Sequence, residues 1–106
     1  MKESEKADNR LLEARVSTLR RERIMTVKEA ISLAHRIDAL IQRMLHGEAE
    51  FSYMRQTKQI KHTRGTLTNY EKTFRRALKL NPENSFMLYY DLNEQRWYTF
   101  HVAFLL

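Results

Sequence analysis

The sequence predicts an α+β fold, with helices in its N-terminal half and a small antiparallel β unit in its C-terminal half. Two observations carry this expectation. Apolar residues recur every three or four positions as far as Gly47, and from Glu50 onward they alternate every second position. The composition, 42% hydrophobic and 10% aromatic with two glycines and one proline, is sufficient to bury a core. At 106 residues the chain has room for one compact domain, or for a smaller domain carrying a helical appendage. The expected division is a helical segment over 1–47 and a β unit over 48–106.

The first helix is expected over about 3–23. The segment is rich in helix formers and lacks Gly and Pro, although Met1–Arg10 is too polar to add to a core. Leu12, Val16 and Leu19 make a narrow apolar stripe on a charged cylinder, so this helix needs a neighbour, either the next helix or a second copy of the chain. The second helix is expected over about 27–46. Thr26-Val27-Lys28-Glu29 reads as a capping box, and Val27, Ala30, Ile31, Ala34, Ile37, Leu40, Ile41 and Met44 give a broad apolar face. Gly47 stands where a left-handed residue often ends a helix.

Beyond Gly47 the alternation predicts a hairpin over about 50–67, with Gly65 marking a bulge or bend. Thr68-Asn69-Tyr70-Glu71 reads as a second capping box opening a short helix over about 69–79. The turn residues Asn81-Pro82-Glu83-Asn84 would close it. A second hairpin is expected over about 86–105. Its aromatic content (Phe86, Tyr89, Tyr90, Trp97, Tyr98, Phe100, Phe104) suggests a sheet buried on both faces.

The residues Gly65-Thr66-Leu67 and Tyr89-Tyr90-Asp91-Leu92, followed by Trp97-Tyr98-Thr99-Phe100-His101-Val102, carry a family resemblance. This pattern resembles small SH3-like β-barrel proteins of Bacteroidota phages and mobile elements. Those proteins run Gly-Thr-Leu, then an aromatic-Asp-Leu turn, then Trp-x-x-Phe. The likeness covers roughly residues 51–106 and implies a small SH3-like barrel; with the helical patterns above, the expected fold is helices packed on that barrel, with one short inserted helix. It also implies a phage or mobile-element setting, but no chemistry. The chain departs from the pattern at Gln95-Arg96, where the family often has Gly, and in the helical character of 69–80.

The charge is +6 and uneven. Between Arg10 and Lys28 six basic residues face two acidic ones, and between Arg55 and Lys79 eight basic residues face Glu71 alone. Such local excess favours polyanionic partners. The candidate contacts are Arg55, Lys58, Lys61 and Arg64 on the first hairpin and Arg75, Arg76 and Lys79 on the short helix. Tyr53 and Tyr70 are interleaved with them as stacking surfaces. Arg20, Arg21 and Arg23 form a second cluster suited to phosphates. The plainer alternative is that these cations are solvated and the tyrosines belong to the core.

With no cysteine, thiolate metal sites and disulfides are excluded. The four histidines lack the spacing of a metal site, the serines stand in ordinary contexts, and no phosphate-cradling glycine loop is present. No catalytic residue, metal or cofactor is therefore expected. Nor is any stretch long enough for a signal peptide or membrane span, so a cytoplasmic protein is expected, in the host cell if it is phage-encoded.

The expectation is a noncatalytic basic binding protein acting on RNA or DNA, or on a nucleic-acid-bound effector protein, without a membrane partner. Its narrowest form is an inhibitor of a host RNA-guided defence nuclease, of the anti-CRISPR type. The alternatives are a DNA-binding transcriptional regulator using the first helix, and a structural or assembly protein that forms a homodimer through that helix.

Overall fold

The computed structural model describes the backbone of residues 2–106 and the side chains of residues 10–106. Helix α1 (Lys2–Glu22) and helix α2 (Val27–His46) are joined by the short link 23–26 and pack against each other. Thr26 caps α2 as its sequence implies. Its Oγ1 accepts from the Glu29 amide at 3.1 Å, and Glu29 accepts from the Thr26 amide at 3.2 Å. Ala30, Leu33, Ala34, Ile37, Leu40, Ile41 and Met44 form its buried face. Val27 and Ile31, expected on that face, are exposed because the buried stripe is rotated toward Leu33.

The far end of α2 departs from expectation. Gly47 is extended, with φ 171°, and no left-handed cap forms. The terminal carbonyls are satisfied from elsewhere in the fold. The Leu67 amide donates to the Met44 carbonyl at 2.9 Å, and the Thr66 hydroxyl donates to the Gly47 carbonyl at 2.6 Å. The helix thus ends by docking on the sheet.

Four antiparallel strands follow: β1 (Glu48–Met54), β2 (Ile60–Thr66), β3 (Phe86–Asp91) and β4 (Arg96–His101), in the order β1-β2-β3-β4. Strands β1 and β2 pair along their whole length, but β2 and β3 pair only at Gly65–Asp91 and Thr66–Tyr90 before diverging. That divergence lets the sheet curl. After β4, where a continued strand was expected, Val102–Phe104 makes a 3-10 turn that carries the chain back toward β1. Leu105 bridges to Tyr53, and the Leu106 amide donates to the Ser52 carbonyl at 2.9 Å. The sheet therefore closes as a small barrel, with Ala49, Phe51, Tyr53, Met87, Tyr89 and Phe100 directed inward and α2 sealing one end. Helices and barrel share one core.

Gly65 is not a bulge; it lies in regular register opposite Ala49. Its role is close approach. A Cβ at this position would sit 2.8 Å from Tyr89 Cδ2, 3.1 Å from Phe51 and 3.3 Å from the Met44 sulfur. The inserted helix α3 (Tyr70–Phe74) is shorter than expected. No second capping box forms: Asn69 starts the helix without a side-chain bond, and the Thr68 hydroxyl pairs with that of Thr66. Arg75 then turns left-handed, with φ 53°, and ends it. The outer face of the β3–β4 hairpin is only partly covered. Tyr70 and Phe74 of α3 lie against Trp97, while Phe86 remains 45% exposed.

Helix α1 is tied to the rest by polar contacts as well as by Leu19. The Thr18 hydroxyl donates to the Pro82 carbonyl at 2.9 Å, and Ser85 donates to Glu22 at 2.7 Å. No helix among the described residues is long and apolar enough to cross a membrane.

Gly65→Ala is expected to destabilise the protein by about 1–3 kcal/mol, because the methyl group must displace Tyr89 or Phe51 in a close-packed interior. A urea titration measures it, and an unchanged midpoint would show that the barrel absorbs the methyl group freely.

Candidate nucleic-acid interface

The strand pleat divides the cations that the sequence placed on one hairpin. Lys61, Thr63 and Gly65 share the inner face of β2, and His62 and Arg64 share the outer one. Lys61 is therefore not a surface contact. It is 9% exposed, and its ammonium lies 3.1 Å from Asp91 Oδ2, 2.8 Å from Glu94 Oε2 and 3.4 Å above the centre of the Tyr98 ring. Asp91 is likewise taken up on all sides. Its Oδ2 also accepts from the Thr63 hydroxyl at 2.7 Å, and its Oδ1 accepts from the Asn93 and Glu94 amides at 2.8 and 2.9 Å.

These contacts set the charges. Burial alone would raise the Asp91 pKa, but the Thr63 hydroxyl, the Glu94 amide and Lys61 outweigh it and hold the group at about 2. Burial would lower the Lys61 pKa, and the two carboxylates reverse that and raise it. The Tyr89 phenol is pushed up by burial and by its 2.7 Å hydrogen bond with the Tyr53 hydroxyl.

Tyr53 and Tyr70, expected as stacking surfaces, are also corrected. Tyr53 is 3% exposed inside the barrel. Tyr70 is buried beneath Trp97, and its hydroxyl accepts from Arg76 Nε at 3.0 Å. Arg76 is thus drawn over the Tyr70 and Phe74 rings. Arg75 occupies the left-handed end of α3, and Lys79 lies exposed on the loop that follows. Trp97 and Tyr98 point to opposite faces of β4, so this cluster and the inner face of β4 are separate surfaces.

The arginines of α1 also separate. Arg20 is exposed beside Val27 and Ile31. Arg21 donates to the Glu83 carbonyl at 3.4 Å, and Arg23 donates to the Ala103 carbonyl at 3.2 Å while lying over the Phe104 ring. Two of the three are committed to the fold, and Arg15 is buried against Asp38 at 3.1 Å. Arg64 is exposed on the outer face of β2, 3.4 Å from Glu48.

Arg55 and Lys58 stay free. They project from the β1–β2 turn, whose backbone is fixed by the Arg55 amide to the Gln59 carbonyl and the Lys58 amide to the Arg55 carbonyl. Neither has an ion-pair partner among the described residues. They stand at the rim of a groove of about 740 Å³ that follows the seam between β1 and the unpaired edge of β4. Phe86, Tyr98 and Phe104 line it. The sequence displayed these aromatics but not their exposure, because a hairpin read as buried on both faces leaves no seam.

Ser52 Oγ and His62 Nδ1 form a hydrogen bond across the outer face of β1 and β2, a pairing invisible in the sequence. No third side chain among the described residues hydrogen-bonds to His62 to orient it. Among the described residues no cluster of three His, Cys, Asp or Glu could hold a metal ion.

Asp91 contributes stability with a definite pH signature. Its folded pKa of about 2 lies below the ordinary 3.8, so the contribution is present above about pH 4 and lost as pH falls toward 2, an effect of about 2 kcal/mol. Asp91→Asn should cost about 3 kcal/mol at neutral pH, because Lys61 keeps only Glu94, and should flatten the acid limb of the stability curve. Urea denaturation at stepped pH checks both; an acid limb of unchanged slope would assign it to another carboxylate.

The barrel and its seam can now be set beside known proteins. A family model described as WYL_2, Sm-like SH3 beta-barrel fold, matches residues 37–106. Comparisons with curated proteins and with solved structures give no match. The matched segment begins inside α2 and takes in every strand, the Lys61–Asp91 pair and the whole groove, which extends the likeness seen over 51–106 into the helix that seals the barrel. The chain belongs to the WYL_2 family, with its Sm-like SH3 β-barrel fold.

Proposed function

We propose that the protein is a noncatalytic binder of nucleic acid that takes a single strand in the groove between β1 and β4. One observation carries this reading: two unpaired cations, Arg55 and Lys58, stand at the rim of a groove lined by Phe86, Tyr98 and Phe104. Stacking on aromatic rings is worth roughly 1–3 kcal/mol per base and tolerates any sequence, and nearby cations neutralise the phosphates. Glu94 also lines the groove; its carboxylate is held back by Lys61, which it shares with Asp91 and which lowers its pKa.

A small barrel domain of this kind fits a nucleic-acid-related regulatory role. The inhibitor of an RNA-guided nuclease suggested by the chain's small size and charge is the narrower form of the same reading. In it, Arg55 and Lys58 would meet a strand already held by the nuclease.

Fluorescence anisotropy with labelled single-stranded RNA and DNA, at two salt concentrations, tests the proposal. Arg55→Glu with Lys58→Glu should weaken binding about tenfold or more and reduce its salt dependence, with the melting temperature unchanged. Undiminished affinity would move the site elsewhere, first to Arg75, Arg76 and Lys79. If neither oligonucleotide binds the unmodified protein, the direct-binding reading fails and a protein partner takes its place.

A further inference from the structure

A second cationic groove, of about 460 Å³, lies on the other side of the C-terminal segment. It runs between the α1–α2 link and the exposed side of α2, and Arg23, Lys28 and Arg36 line it. Lys28, Ser32 and Arg36 recur at four-residue steps and are all exposed, so they form one stripe about 12 Å long on α2. None of the three cations has an ion-pair partner among the described residues. The carboxylate that shares the groove, Glu29, is spent on the capping box with Thr26, whose bonds lower its pKa.

The two grooves are lined by adjacent residues of the C-terminal segment, Phe104 and Leu105, which form the ridge between them. Phe104 lines the β1–β4 groove and carries Arg23 above its ring at 5.2 Å, whereas Leu105 lines the α2 groove and bridges to Tyr53. Arg23 is therefore shared, reaching the aromatic wall of one groove from the cationic floor of the other. All three cations lie before residue 37, outside the segment that defines the family. This surface is an addition to the barrel.

We infer that the α2 groove continues the binding surface of the barrel. A strand too long for the β1–β4 groove crosses the Phe104–Leu105 ridge, passes Arg23 and lays its phosphates against Lys28 and Arg36. The inference rests on the reading of the β1–β4 groove as a single-strand site and specifies the ligand as a strand long enough to span both.

The test compares homopolymeric single strands of about 4 and about 12 nucleotides, near 150 mM salt, where remote charge effects are largely screened. The unmodified protein should bind the longer strand about tenfold or more tightly than the shorter. Lys28→Glu with Arg36→Glu should leave the short-strand affinity within about twofold and abolish the gain with length. Arg55→Glu with Lys58→Glu should instead weaken both strands. A length gain that survives Lys28→Glu/Arg36→Glu overturns this inference while leaving the β1–β4 site intact. Equal weakening of both strands by Lys28→Glu/Arg36→Glu also overturns it, since the groove would then act only through overall charge. Loss of effect in both double variants, or failure of either strand to bind, removes the β1–β4 reading as well.

Discussion

The carboxylate of Asp91 stands at the short β2–β3 junction, beside the β3–β4 turn, and much of the architecture depends on how it is held. Strands β2 and β3 share only two register pairs before they diverge. Beyond that point one main-chain bond, from the Leu92 amide to the Arg64 carbonyl at 2.8 Å, is joined by side chains: Thr63 and Lys61 of β2 reach Asp91 at the end of β3. The same carboxylate fixes the β3–β4 turn through two backbone amides, and Lys61 continues to Glu94 and to the Tyr98 ring on β4. Desolvating two charges is costly, and it is tolerated here because the Asp91 carboxylate accepts from four donors and the Lys61 ammonium has two carboxylates and an aromatic face. Added to a short main-chain ladder, this network ties β2 to the end of β3 and to the β3–β4 turn.

Closure of the sheet also creates the surface features. Because β4 has no strand on its outer edge and β1 meets only Leu105 and Leu106, a seam is left between them. Hydrophobic side chains that would be core in a longer sheet are left at its margin, with Phe86 nearly half exposed. Phe86, exposed, and the half-buried Tyr98 and Phe104 thus lie in one groove with the free cations Arg55 and Lys58. The 3-10 turn at Val102–Phe104 sets the position of the ridge that separates this seam from α2.

Much of the fold was legible in the sequence. The boundaries of α2 follow from its capping box and from apolar residues at helical spacing, both local properties. The change to alternation after Gly47 likewise announced the strands. The resemblance over 51–106 pointed to an SH3-like barrel, and the family match agrees. Gly47, Gly65 and Thr68 carry sequence signals for a helix cap, a bulge and a capping box, yet Gly47 and Gly65 are governed by partners distant in sequence and Thr68 by Thr66, two residues before it. Gly47 and Thr68 are both engaged by the Thr66 hydroxyl, and Gly65 makes room for Tyr89, Phe51 and Met44. At Gln95 the chain adopts φ 56° where the resembling family often has Gly, so that turn geometry persists without the residue that favours it.

For the candidate site the division is sharper. The number of cations, their crowding into two stretches and the absence of thiol chemistry can be read directly from the composition and order of the residues. Only the tertiary structure decided which cations are free. Strand alternation turned Lys61 inward while Arg64 faced out, ring packing drew Arg76 onto Tyr70, and chain closure placed Arg23 beside Phe104, 81 positions away. A charged side chain in an alternating strand can serve as surface or as core, and the choice depends on whether a counter-charge awaits it inside. Here Asp91 awaits Lys61, thirty positions later in the chain and 3.1 Å away in space.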